Sequence, residues 1–156
     1  MKTLIENGNW QVAELELIYK TKVKPSERIR VSSSFQAYKV FEANWDFNKI
    51  DHIEQSKMIV LNNAHRILGL FELTSGGIDK NIMDPRMILV NALMLQGTAI
   101  IVAHNHPSGN LMPSDADIKA TTRLKSACSL LDIKLLDHII ITSEHYTSLA
   151  DDELLI

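Results

Sequence analysis

An apolar run at residues 98–103 stops abruptly at His104-Asn105-His106-Pro107-Ser108-Gly109-Asn110, and this junction constrains the fold more than any other stretch. The uncharged Thr-Ala-Ile-Ile-Val-Ala reads as a buried strand. In an extended chain, side chains at i and i+2 point to the same face. His104 and His106 therefore aim both imidazoles at one point, the Pro-Ser-Gly-Asn turn reverses the chain, and Asp117 returns on the next helix. Two imidazoles and one carboxylate leave one position of a tetrahedral zinc ion open for water, which is the catalytic arrangement and not the closed structural one. The residues thus predict a zinc hydrolase site.

Asp117 has a second reading. Ser114-x-x-Asp117 has the spacing of a helix capping box, with Asp in place of the more usual Glu or Gln. The two roles are compatible, because a carboxylate fixed in the first helical turn has the rigidity a ligand needs. Ser114 either only caps the helix or also donates its hydroxyl to the oxyanion that forms when water attacks a carbonyl.

The chain has 156 residues, 46% hydrophobic and 22% charged, as expected of one soluble globular domain. With a formal net charge of −3, no global basic field draws it to nucleic acid. Lys20, Lys22, Lys24, Arg28 and Arg30 cluster locally, and read as a solvated strand and loop in preference to a nucleic-acid contact. Cys128, the only cysteine, sits in an apolar helical pattern and reads as a core residue. The absence of any internal disulfide pair or signal peptide points to the cytoplasm. No apolar run approaches the roughly 20 residues that span a bilayer.

Imperfect alternation predicts a strand over residues 11–20, followed by a polar, basic loop or hairpin arm over 21–34. Ser32-Ser33-Ser34 offers an N-cap for a helix carrying Tyr38, Val40, Phe41 and Trp45. Residues 58–61 and 67–73 read as a β-hairpin around Asn62-Asn63-Ala64-His65. Asp84-Pro85 starts a helix that runs to about Leu95 and is ended by Gly97. The strand 98–104 comes next, then a helix from Ser114 to about Leu131 with Ile118, Leu124 and Leu130 on its apolar face, then a last strand over 134–142. This order predicts an α+β, αβα-like domain, a mixed central sheet flanked by helices. Residues 1–50 form an N-terminal extension of strand plus helix packed on a core domain of residues 51–156. Trp10, Val12 and Leu15 would complete the sheet or form a homo-oligomer interface.

His104-x-His106, the intervening residues and Ser114-x-x-Asp117 together resemble the motif of the JAMM (JAB/MPN) metalloproteases, and the His-Asn-His-Pro-Ser-Gly form resembles the bacterial RadC proteins. Leu61-Asn62, Pro85-Arg86 and Asp137-His138-Ile139-Ile140 extend the match from about Glu54 to the C-terminus. The resemblance implies a JAB/MPN-like (cytidine-deaminase-like) architecture. It also implies zinc on His104, His106 and Asp117, a glutamate that takes the proton of the metal-activated water and passes it to the leaving amine, and Ser114 steadying the tetrahedral intermediate. Glu54, at the entrance to the first core strand, lies where the family pattern places that base, and Glu72 in the following strand is its rival. The resemblance includes the Asp137-His138 pair, for which a structural or supporting role behind the ligands is expected.

His52, His65 and His145 have no supporting constellation and read as surface residues, and Ser143-Glu144-His145 is not a triad, because sequence neighbours do not converge. Ser108-Gly109 serves the turn. RadC proteins also carry a DNA-gripping helix-hairpin-helix region. Residues 1–50 show no such Gly-centred hairpin pair, and Thr74-Ser75-Gly76-Gly77 is looser than the usual pattern. The leading expectation is a zinc metallopeptidase or isopeptidase acting on a protein or peptide, with specificity in the loops 110–112 and 74–81. The alternative is a DNA-associated module, of the DNA-repair or mobile-element kind, whose main role is nucleic-acid binding. A vestigial scaffold is disfavoured by the intact ligand set, and an HNH nuclease by the turn and the apolar strand around the histidines.

Overall fold

The structure, a computed structural model, describes Glu16, residues 18–75 and residues 83–155. Trp10, Val12, Leu15 and most of the expected strand 11–20 lie outside the described residues, as does most of the loop 74–81. Residues 18–20 do not form a strand. The described elements are a short 3-10 turn at Pro25–Glu27, α1 (Ser34–Glu42), β1 (Gln55–Leu61), β2 (Ile67–Ser75), α2 (Pro85–Met94), β3 (Ala99–Asn105), α3 (Asp115–Ser129), β4 (Lys134–Ile141) and β5 (Tyr146–Ser148).

The strands form one mixed sheet in the order β2-β1-β3-β4-β5. β1 pairs antiparallel with both β2 and β3, while β3 and β4 run parallel and are joined through α3. A parallel pair needs such a crossover, because a tight turn cannot return the chain to the same end of the sheet. β1 and β3 are buried along their whole length, apolar over residues 58–61 and 99–103 and polar at the end where Gln55, Ser56 and Lys57 lie beside His104 and Asn105. Alternation splits them between two cores. Ile59, Leu61, Ile101 and Ala103 face α1 with Ala37, Phe41, Trp45 and Ile50, whereas Met58, Val60, Ile100 and Val102 face α2 and α3 with Ile88, Ala92, Leu124 and Cys128. The result is the expected mixed sheet between helical layers.

Local chemistry sets the helix ends. The Ser33 hydroxyl accepts from the Gln36 N–H to cap α1, and Asp84 caps α2 in front of Pro85. At the far end of α2, Gln96 takes the left-handed conformation (φ 53°) that terminates the helix. Gly97 then closes the helix end, its N–H donating to the Ala92 carbonyl, and it has a second task. A Cβ there would lie 2.2 Å from Val60 Cγ1, so glycine permits the close approach of this turn to β1.

Two expected positions are corrected. Trp45 lies beyond α1, buried in the turn that follows and packed edge-on against Phe41. Leu130 caps the end of α3 and is 86% exposed, so it does not belong to the apolar face. β5, which pairs with β4, was not expected.

Candidate metal centre

His104 is buried near the end of β3, and His106 follows one residue past it. Their Nε2 atoms lie 2.9 Å apart, as the i, i+2 alternation requires. The turn then wraps around His106. The Gly109 N–H donates to the His106 carbonyl, Gly109 takes φ 76°, and the chain brings the Asn110 carbonyl to 2.6 Å from His106 Nδ1. A carbonyl only accepts, so His106 donates from Nδ1, and in the neutral ring its Nε2 lone pair faces His104.

Asp117 enters from the first turn of α3. Its Oδ1 is 3.3 Å from His104 Nε2 and its Oδ2 is 3.5 Å from His106 Nε2. The capping box is also present: Ser114 donates its backbone N–H and its hydroxyl to Asp117 Oδ2, each at 2.7 Å, and its Oγ accepts the Asp117 N–H. One carboxylate therefore both closes the helix start and faces the imidazoles. Burial works against its charge, yet hydrogen bonding to His104 and His106, with help from Ser114, holds the carboxyl well below the usual range. The Asp117 carboxylate in turn raises the His106 pKa against the opposing effect of burial.

Glu54 completes the group. One carboxylate oxygen and one ring nitrogen from each of His104 and His106 all lie within 4.8 Å of one another, an arrangement that could hold a metal ion. Glu54 is exposed, just ahead of β1. Glu72 lies elsewhere. A register shift between Ser56 and Lys57 sets Lys57 opposite Glu72, and the Lys57 ammonium pairs with Glu72 at 2.7 Å while lying over the Trp45 ring, on the α1 side of the sheet.

The donor chemistry fits a divalent cation. In a tetrahedral zinc site with bonds of about 2.0–2.1 Å, ligand atoms sit roughly 3.3–3.4 Å apart. The carboxylate-to-imidazole distances of 3.3 and 3.5 Å match that spacing, and the 2.9 Å imidazole pair needs only a slight opening.

Three supporting side chains surround this centre. His138 is buried on β4, with its Nε2 2.7 Å from His104 Nδ1 and its Nδ1 2.6 Å from Thr121 Oγ1. Burial, reinforced by the neighbouring His104, pushes the His138 pKa well below its ordinary value, so the ring is neutral. Its neighbour Asp137 faces the other way and binds Ser148 and the Ala150 N–H, so the pair is no dyad. Asn105, between the two histidines, is fully buried; its Oδ1 accepts the Gln55 N–H and its Nδ2 donates to the carbonyls of Ile50 and Ile53. Those bonds bracket Glu54.

Sequence reasoning did not single out Asn105 or Thr121. The available signals were an amide at the buried end of an apolar strand, and the i, i+4 spacing that stacks Thr121 on Asp117. His52 and His145 are exposed, while His65 is half-buried and takes φ 55° in the β1–β2 turn. Cys128 is buried in the core, which pushes its thiol up to about 11. Among the described residues, no helix is long and apolar enough to cross a membrane.

The chain is 34% identical over 142 residues to a UPF0758 protein of Flavobacterium johnsoniae, covering 90% of this chain and 61% of that one. It is 47% identical over 97 residues to a UPF0758 protein of Coxiella burnetii, covering 62% and 43%. It is 45% identical over 84 residues to one of Vibrio cholerae, covering 54% and 53%. The chain thus spans roughly half the length of these curated relatives. The family model of the RadC-like JAB domain matches residues 31–154, and the chain belongs to that family.

Proposed function

We propose that this domain is a zinc-dependent metallopeptidase or isopeptidase, with His104, His106 and Asp117 holding the ion, Glu54 as general base and a protein or peptide as substrate. The observation that carries the reading is the convergence of Glu54 with the two inward imidazoles and the Asp117 carboxylate. Bound there, zinc would supply Lewis acidity and make water nucleophilic near neutral pH.

The chain's own groups divide the remaining work. Glu54, exposed beside the buried His104, has access to solvent, takes a proton from the attacking water and returns it to the leaving amine. Ser114 orients Asp117 through its hydroxyl and backbone N–H, and turning that hydroxyl outward would let it donate to the developing oxyanion. Asn110 and Met112, both exposed on the turn after His106, form a rim for substrate.

The test is hydrolysis of internally quenched peptides and of isopeptide-linked lysine substrates by the zinc-loaded chain. Wild type should cleave, chelation should stop it, and Glu54→Gln should lose about 10²–10⁴-fold in kcat while retaining zinc. A wild-type rate in Glu54→Gln would overturn the assignment of the base, and cleavage that survives full removal of the metal would overturn the reaction class.

A further inference from the structure

Behind His104 lies a chain of hydrogen bonds whose direction is fixed by chemistry. Thr121 Oγ1 is 2.6 Å from the Asp117 carbonyl and 2.6 Å from His138 Nδ1. A carbonyl can only accept, so the single hydroxyl hydrogen of Thr121 goes to Asp117. Toward His138 the same oxygen must then accept, so His138 Nδ1 carries a hydrogen, and this fully buried ring, whose hydrogen-bond partners include no carboxylate, carries no second one. His138 Nε2 is left as a lone pair, and at 2.7 Å it accepts the Nδ1–H of His104. As a neutral ring, the form that binds a metal, His104 is thereby confined to one tautomer, with its lone pair on Nε2, the atom that faces His106 and Asp117.

We propose that Thr121 and His138 are positioning residues that lock His104 in the Nδ1–H tautomer and so set the affinity of the site for its metal. The relay is closed and one-way. It starts at the backbone carbonyl of one ligand residue, Asp117, and ends at the ring of another, His104, tying α3 to β4 and β3. Both supporting side chains are buried (Thr121 1% exposed, His138 0%), so water does not substitute for either of them. His106 reaches the same tautomer by a separate route, through the exposed Asn110 carbonyl. One ligand is therefore set by the core and the other by a surface turn. A ligating imidazole held through its second nitrogen is a better oriented and more basic donor, and loss of such a partner ordinarily weakens metal binding by about 10–100-fold.

This inference rests on the proposed metal-centre reading only for its affinity arm, because the tautomer can be read without metal. The experiment pairs Thr121→Val, which keeps the shape and removes the hydroxyl, with Thr121→Ser, which restores it. Zinc affinity is measured on the full chain by competition with a chromophoric chelator. The ring protons of His104 and His138 are assigned in the metal-free chain by nitrogen-15 NMR through two-bond couplings. Wild type should show both rings protonated at Nδ1. Thr121→Val should bind zinc about 10–100-fold more weakly, and Thr121→Ser should return to within about twofold of wild type. An Nε2–H tautomer for His104 in wild type would overturn the proposal. Equal zinc affinity in wild type, Thr121→Val and Thr121→Ser would overturn it too. A wild type that binds no zinc but shows the expected tautomers would instead overturn the proposed function and leave the relay standing.

Discussion

The two faces of the sheet at the end of β3 use buried polar side chains in opposite ways. On the α3 face, His138 bonds to the side chains of Thr121 and His104, and those bonds leave the Nε2 of His104 free to face His106 and Asp117. On the α1 face, Asn105 and Asp137 bond mainly to backbone. Asn105 clamps the segment that leads into β1, and Asp137 staples the turn after β5 through Ser148 and the Ala150 N–H. These groups consume their hydrogen-bonding capacity in holding the chain. Neighbours in sequence thus serve different ends, His104 against Asn105 and His138 against Asp137, because strand alternation sends them to different layers. A buried polar residue marks a functional site when its bonds leave a donor atom over, and a scaffold when they do not.

That contrast can be broken most severely at His106. Structural zinc binding is worth about 10–16 kcal/mol shared among three or four ligands, so His106→Ala should cost roughly 3–5 kcal/mol of zinc affinity. It should leave the denaturant midpoint of the metal-free chain little changed, which chelator competition and urea unfolding would check together. Asn105→Ala should behave in the converse way. It leaves the Gln55 N–H and the Ile50 and Ile53 carbonyls without their buried partner, at about 3 kcal/mol of folding stability. Its zinc affinity should fall far less than that of His106→Ala, and an equal fall would merge the two faces into one functional unit.

Asp137 gives a smaller effect with a defined sign. Burial raises its pKa against the hydrogen bonds from Ser148, Ala150 and His138. The folded chain therefore holds this proton more tightly than the unfolded chain does. As pH rises from the unfolded carboxylate value of about 3.9 through the raised folded value, this contribution to stability is lost. Urea midpoints measured across that window should decline with pH in wild type relative to Asp137→Asn, and a parallel pair of curves would contradict the account. The smallest effect belongs to Leu130, 86% exposed at the end of α3. Leu130→Ser should move stability by no more than about 0.5 kcal/mol in thermal unfolding.

Much of this was legible in the chain because it depends on local pattern. The i, i+2 histidines, the Ser114–Asp117 cap, the Asp84-Pro85 start and the apolar runs of β1 and β3 each announce themselves within a few residues. What escaped depends on distant partners. Asn105 bonds to residues about fifty positions away, and the link from Thr121 to His138 crosses from α3 to β4. The position of Glu72, opposite Lys57 and paired with it, depends on a register shift in the β1–β2 ladder, which no periodicity encodes. β5 has three residues, too few for an alternation signal, and Leu130 continues the helical pattern of α3 past the point where the helix stops covering the sheet.

The central claim is that His104, His106 and Asp117 form one metal centre. The most direct test is equilibrium dialysis of the untagged chain against buffered zinc at neutral pH, followed by elemental analysis, with wild type beside Asp117→Asn. The account predicts about one zinc per wild-type chain and a marked loss in Asp117→Asn that still unfolds cooperatively. A wild-type chain that takes up no zinc, or an Asp117→Asn chain that binds it as tightly as wild type, would contradict it.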